Sequence, residues 1–561
     1  MSVHVGSEIG KWTVAARRRR RFPFAIVTAA SATLLVLVMG VGGAAAGAGR
    51  PRSTSTASLP RPTNQELGIP ARPHRGGTLT VLEGSAIASG WESLDPGGPG
   101  TVAYGGYMDA IFGELFDLGP HGTRYPDLAT GYQYSNGGKT ITIYLHKGVR
   151  FSDGTKFDSA AVKWNWERDL KSPSSSKPVF SQKTPPVIAT HGPYTISMTL
   201  QYIDGAFING LLDQTFNWIG SPTAEQKMGE KAFSLKPVGA GPFEVVSDTP
   251  SNSLVLKRNP HYFLKGLPYL NTLVFKSVAN DEAGLEGMLA GSGQAYEYMK
   301  TPSLLSAFKA HFRVTTEPPT SVNGIQLNTA IPPFNNLQAR QAVYYAIDCQ
   351  LLDQKLFGDI VPCGQSFEAP GGLFYEKKVP GYLTYNPAKA KSLVKQLGGL
   401  TFNLFDVTGA SEQALLEGLQ TEFQAVGMKV TISQYDLATL INTFLGGKWQ
   451  AALQGEGAWD PASGIGLDFR YGSTSPFSGV HNSELDQLLA VAAGTTDLHK
   501  RQTYYNAVAE YLARNADGPF LFAYPTYDVV THGAGAPGLS DPIPSVEDTP
   551  TVLWQYAYRN A

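Results

Sequence analysis

The sequence predicts a mixed α/β protein made of several units and exported from the cytoplasm. Three observations carry this. The chain has 561 residues, of which 42% are hydrophobic and 11% aromatic, enough for two to four domains with real cores. Strand-like and helix-like periodicities alternate along it instead of separating into blocks. A basic run followed by an apolar stretch opens the chain.

The opening comes first. Arg17 to Arg21 precede an apolar run from Phe22 to about Ala48, interrupted only by Thr and Ser. A positive start, an apolar middle and small residues such as Ala44-Ala45-Ala46 or Ala46-Gly47-Ala48 have the form of a secretory signal. The apolar run is also long enough to stay as a membrane anchor, since ~20 residues span a bilayer. Both readings put the body outside, because the charges precede the apolar run. The first cysteine is Cys349, so lipidation at a processed N-terminal Cys is not expected. Residues 50–75, rich in Pro, Ser, Thr and Arg, read as a flexible tether.

Charge is distributed unevenly. Residues 1–75 carry a net charge of +9 and the remainder −10, within a total of −1. An acidic body has no general attraction for phosphate backbones, so no nucleic-acid partner is expected.

In the body, Gly76 to Leu82 begins as a strand. Thr140 to Leu145 alternates, with Ile141, Ile143 and Leu145 on one side, after a turn at Asn136-Gly137-Gly138. Asp158 caps a helix with Val162, Trp166 and Leu170 on one face. Ser253 to Leu256 and Thr272 to Ser277 read as strands. Asn336 caps a helix presenting Ala339, Val343 and Ile347. Asn386-Pro387 opens another that stops near Gly398. Ser411 opens a helix ending at Gly427, followed by a strand from Met428 to Ile432. Helices at Ser483 to Ala493 and Leu498 to Arg514 complete the set.

Catalytic signatures are missing. No two of the ten histidines flank a Glu at zincin spacing, and no Gly-x-Ser-x-Gly elbow occurs. Gly138-Lys139-Thr140 matches the end of a phosphate loop, but position 133 is Gln and a strand follows, not a helix. Asp153 reads as a turn residue before Gly154. Two cysteines cannot form a four-thiolate zinc site. In an oxidising compartment Cys349 and Cys363 are expected to pair.

Several segments together resemble the extracytoplasmic solute-binding proteins of ABC importers, in the family that includes dipeptide-, oligopeptide- and nickel-binding proteins. They begin with Gly76-Gly77-Thr78-Leu79-Thr80, Leu94-Asp95-Pro96 and Tyr125-Pro126-Asp127-Leu128-Ala129. Leu145-His146-Lys147-Gly148-Val149-Arg150-Phe151-Ser152-Asp153-Gly154-Thr155 is the most specific, followed by Ala161-Val162-Lys163-Trp164. Gly239-Ala240-Gly241-Pro242-Phe243, Arg258-Asn259-Pro260-His261-Tyr262, Asn328, Pro333-Phe334, Arg340-Gln341-Ala342 and Ala346-Ile347-Asp348 continue in the family's order.

The resemblance implies a two-lobe periplasmic-binding-protein-like fold of the large class, with a discontinuous first lobe, an inserted subdomain and a hinge. After the export segment (1–49) and the tether (50–75), lobe I would hold 76–110 and 237–330, the insert 111–236 and lobe II 331–525. Residues 526–561 would return to lobe I. It implies no catalysis and no cofactor. The partners would be a peptide or similar extended solute and a membrane permease, with the protein itself a monomer. Peptide binders pair the ligand backbone with segments that correspond here to Glu83-Gly84-Ser85-Ala86 and Gly455-Glu456-Gly457. The expected ligand residues are Gly84, Ser85, Ala86, Gly455, Glu456, Gly457, Trp459 and Asp460, with Trp459 packing on the solute and Asp460 pairing with a cation. Where peptide binders place an Asp shortly before a Pro, this chain has Gly457. That leaves Glu456 and Asp460 as alternative carboxylates, and a non-peptide solute open. A surface receptor without a transporter and a secreted hydrolase on the same scaffold are the competing classes.

Overall fold

Three sheets organise the computed structural model, which describes residues 55–56, 59–84, 93–97, 105–171, 185–212, 215–320, 322–408, 410–454, 460–462, 466–475, 477–543 and 551–560. The expected export segment, 1–49, lies outside them. A seven-stranded sheet has the order Arg313–Glu317, Thr526–Val530, Ala295–Met299, Thr78–Glu83, Thr272–Ser277, Ser253–Arg258, Phe243–Thr249. Thr78–Glu83 lies at its centre, parallel to both neighbours. Residues 55–56, 129–145 and 187–199 build an antiparallel five-stranded sheet, and residues 323–327, 401–454 and 520–522 a mixed one.

The antiparallel sheet follows from its alternation. Ile141, Ile143 and Leu145 are buried while Thr140, Thr142 and Tyr144 are less so. They pack under the helix Ser159–Asp169, where Val162 and Trp166 are fully buried and Asp158 accepts the Ala160 and Ala161 N–H groups. This core also takes Phe207 and Ile208. The mixed sheet is a strand–helix–strand build: Thr401–Val407, helix Ala410–Ala425, then Lys429–Tyr435 parallel to the first strand. Asn336, Asn386, Asn482 and Asp497 each cap a helix with a side-chain oxygen, so these polar residues fix where helices begin.

Two short connections join the seven-stranded sheet to the mixed one. One runs through residues 318–322, from Glu317 to Asn323, and the other through 523–525, from Phe522 to Thr526. The strand Asn323–Leu327 therefore belongs to the mixed sheet.

Residues 59–75 differ from the free tether expected of their composition. Leu67 and Ile69 are buried with Leu118, Ile543, Leu553, Tyr556 and Tyr558. Leu59 donates its N–H to Thr130 O, Arg61 reaches Asp127 O, and Ser55–Thr56 pairs with Tyr132 and Gln133. Two well-placed apolar side chains suffice to dock a strap that shows no periodicity.

Cys349 and Cys363 form a disulfide. It ties the start of the helix Cys349–Leu356 to a bridge between Cys363 and Phe522. Closing a loop of this length is worth about 3 kcal/mol in the chain-entropy model. The double variant Cys349→Ser/Cys363→Ser should lose about that much in urea unfolding. An unchanged midpoint would mean that the loop stays closed without the bond.

Candidate functional site

The two strands that lead into the expected ligand segments end beside the two connections. Glu83 ends the central strand and lies opposite Glu297. Gln454 ends the strand Ala451–Gln454 and lies opposite Gly324, just past one connection. Gly84 is buried, and a Cβ there would stand 2.8 Å from Tyr296 Oη. Tyr296 is held in turn by Asp281, which also accepts the N–H groups of Lys300 and Thr301. Gly84 is thus a close-approach glycine with a fixed backbone. Ser85, Ala86, Gly455, Glu456, Gly457 and Trp459 lie outside the described residues.

Four carboxyl groups are buried at this end of the seven-stranded sheet: Glu83, Glu297, Glu317 and Asp528. They come from four neighbouring strands. Glu317 accepts from Thr526 Oγ1 at 2.7 Å, across the roots of the two connections. Asp528 accepts the Tyr298 N–H at 3.1 Å. That contact uses an unusual backbone: Tyr298 has φ +61°, where the register between two strands breaks. Burial, opposed by a hydrogen bond to Glu297, pushes the Glu83 carboxyl up to about 8. Burial raises Asp528 to about 6 and holds Glu297 and Glu317 well above the carboxylate range, aided by their acidic neighbours. The group therefore retains protons at neutral pH.

Asp460 is fully buried and accepts two hydrogen bonds from Arg501, at 2.6 and 2.5 Å. Asn209 Nδ2 and the Ala462 N–H donate to it as well. Burial alone would raise its carboxyl, but the Arg501 charge prevails and lowers it. In this conformation the carboxylate is held by protein groups. Arg501, Asn209, Glu297, Glu317 and Asp528 are absent from the sequence reading. None sits in a local motif, and Arg501 lies in a helix whose polar composition reads as exposed. Among the described residues, no three His, Cys, Asp or Glu side chains are placed to hold a metal ion.

Comparison with known proteins fits this architecture. The model of bacterial extracellular solute-binding proteins, family 5 (middle part), matches residues 123–477. The chain belongs to family 5 of the bacterial extracellular solute-binding proteins. It is 27% identical over 395 residues to the glutathione-binding protein GsiB of Salmonella paratyphi A, covering 70% of this chain and 74% of that one. Against GsiB of Escherichia coli the identity is 25% over 454 residues, 76% and 86% of the two chains. The substrate-binding protein CtaP of Listeria monocytogenes superposes with a TM-score of 0.72 at 20% identity, over 87% of this chain and all of that one. The dipeptide-binding protein of Pseudoalteromonas sp. SM9913, solved with Met-Leu, gives 0.71 at 19% identity, covering 86% and 100%.

This family 5 protein has the two-lobe periplasmic-binding-protein fold of the large class, with an inserted subdomain. It is a solute-binding protein of a family that works outside the cell. Among the described residues no helix is long and apolar enough to cross a membrane.

Proposed function

We propose that the solute is a peptide or a similarly extended molecule, clamped between the lobes and released unaltered to a permease. The carrying observation is that the strands ending at Glu83 and Gln454 both stop beside the connections, one in each of the two sheets that these join. An extended guest pairs its backbone with such segments, as in strand addition. We assign Gly84, Ser85, Ala86, Gly455, Glu456, Gly457 and Trp459 to ligand contact. The connections 318–322 and 523–525 serve as the hinge. The first lobe then holds 76–110, 237–317 and 526–561, with the insert at 111–236, and the second lobe holds 323–522. Ligand stabilises the closed form because only there does it touch both lobes. The N-terminal apolar run exports the body or anchors it.

The names of the relatives supply the first probes. Reduced glutathione and a panel of di- and tripeptides should be titrated by calorimetry, beside native mass spectrometry of the purified body for co-purified solute. A solute that is bound should also raise the melting temperature. Trp459→Ala should weaken binding of the best solute by at least about 1 kcal/mol, roughly fivefold. Unchanged affinity would remove Trp459 from the contact surface. Failure of every extended solute, with a compact non-peptide solute found in the native spectrum, would overturn the peptide reading.

A further inference from the structure

The insert and the second lobe share a polar contact. Among the described residues, every hydrogen bond from 111–236 to 331–525 gathers there. The Gly205 N–H donates to Ala493 O at 2.7 Å, Arg501 Nη1 donates to Gly205 O at 3.3 Å, and Asn209 Nδ2 donates to Asp460 at 2.7 Å. Arg501 is fully buried. Besides Asp460 and Gly205 it donates to Ala492 O and Tyr505 Oη, so all five of its N–H groups are used. Its guanidinium lies 4.8 Å from the centre of the Phe374 ring. Asp204 stands beside this spot and accepts the Ala206 N–H.

The division of partners matters. Asp460, Arg501, Tyr505 and Phe374 all belong to the second lobe and form a preassembled unit. Gly205 and Asn209 belong to the insert and contribute only neutral groups. At this spot Phe207 and Ile208 join the core of the antiparallel sheet, whereas Leu489, Ala492 and Tyr505 join a core of the second lobe; elsewhere the partly buried Leu373 of the second lobe packs against the cluster of Leu118 and Tyr125. Separation at this spot therefore parts no hydrophobic cluster of its described residues and leaves the Asp460–Arg501 pair together. A contact of this kind can make and break reversibly, as polar interfaces between domains do.

Fit at the seam is close. A Cβ on Gly205 would stand 1.7 Å from Thr495 O, so any larger residue would hold the two sides apart. Asp460 also directly follows Trp459 at the end of the segment assigned to the solute, so whatever seats that segment seats the acceptor of Asn209.

We propose that the buried Asp460–Arg501 pair, with Asn209 and the Gly205 peptide, is the latch of the closed state. Arg501 is a positioning residue: it presents Asp460 to the insert instead of touching the solute. This rests on the two-lobe binding reading above, yet its test needs no solute, so the two can fail separately.

The test uses the whole exported body, without added ligand. By hydrogen exchange, peptides holding the Gly205 amide should exchange at least about tenfold faster than those holding Ile141 and Ile143, because the latch opens without unfolding either core. Gly205→Ala should act as a wedge and Asn209→Ala as a cut. Each should shift small-angle scattering toward a larger radius of gyration and speed exchange at 201–210, with the melting temperature of the cores kept. Exchange at Gly205 as slow as in the core strands would make the contact permanent cement and overturn the proposal. So would scattering and exchange unchanged in both variants.

Discussion

Arg501→Leu will cost the folded protein about 3–5 kcal/mol, the range for breaking a buried pair from one side. Asp460 is fully buried, and without the guanidinium it loses two donors and the positive charge beside it, while the Asn209 and Ala462 donors remain. Removing both charges is a different matter. Two buried ions pay heavily in lost hydration, so Arg501→Leu/Asp460→Leu should recover most of the loss. Urea unfolding of the two variants decides it, read as ΔG from midpoint and slope. A single-variant loss under about 1 kcal/mol would mean that water reaches Asp460 once Arg501 is gone. Opening of the seam is far cheaper than this variant. It breaks bonds from Asn209 and Gly205 but leaves the ion pair intact, at about 0.5–1.5 kcal/mol for each bond.

Stability will fall as pH rises from about 4.5 to about 8, the interval over which burial has moved Glu83. A carboxyl with a raised folded pKa holds its proton more tightly in the native state. Its full contribution is present below the unfolded value and is lost as pH climbs through the folded one. The displacement of Glu83 caps its own share at about 5 kcal/mol, at ~1.4 kcal/mol per pH unit. Glu297, Glu317 and Asp528 act in the same direction. So does a second buried group: burial lifts Asp109 to about 7 and Asp127 to about 6, and also raises Glu114 and Asp117. Asp460, whose pKa is lowered, acts only at more acid pH, outside this window. Chemical unfolding at pH 5.5 and pH 8 should therefore show the acidic sample more stable. Glu83→Gln should flatten the dependence in part, because the second group remains. A protein more stable at pH 8 would show that these carboxyls reach water in the native state.

The elements most visible in the sequence are those whose signals are local. Thr140–Leu145 alternates cleanly because one of its faces is wet, and the helix starts at Asp158, Asn336 and Asn386 carry their own capping oxygens. The strands Ala295–Met299 and Thr526–Val530 carry no such mark. Buried on both faces in the middle of a sheet, they show no alternation, and acids in a strand ordinarily suggest surface. Glu297 and Asp528 are where that inference fails, since their neighbours come from strands more than 200 positions apart. The site is legible to the same degree. Gly84 follows from a motif and proves to be packed by Tyr296, whereas Asn209 and Arg501 meet Asp460 only through the fold.

The docked strap has a mechanical consequence. Six residues, and so seven Cα–Cα steps, separate Ala48, the last of the apolar run, from Ser55, the first to pair with the body. At about 3.3–3.6 Å per residue they reach no more than about 25 Å. If the apolar run stays in the lipid, the body is moored on a short line and cannot roam the space above the membrane. If the run is cut off, the same strap drifts away with its cargo carrier, and only diffusion brings the two-lobed particle back to its gate.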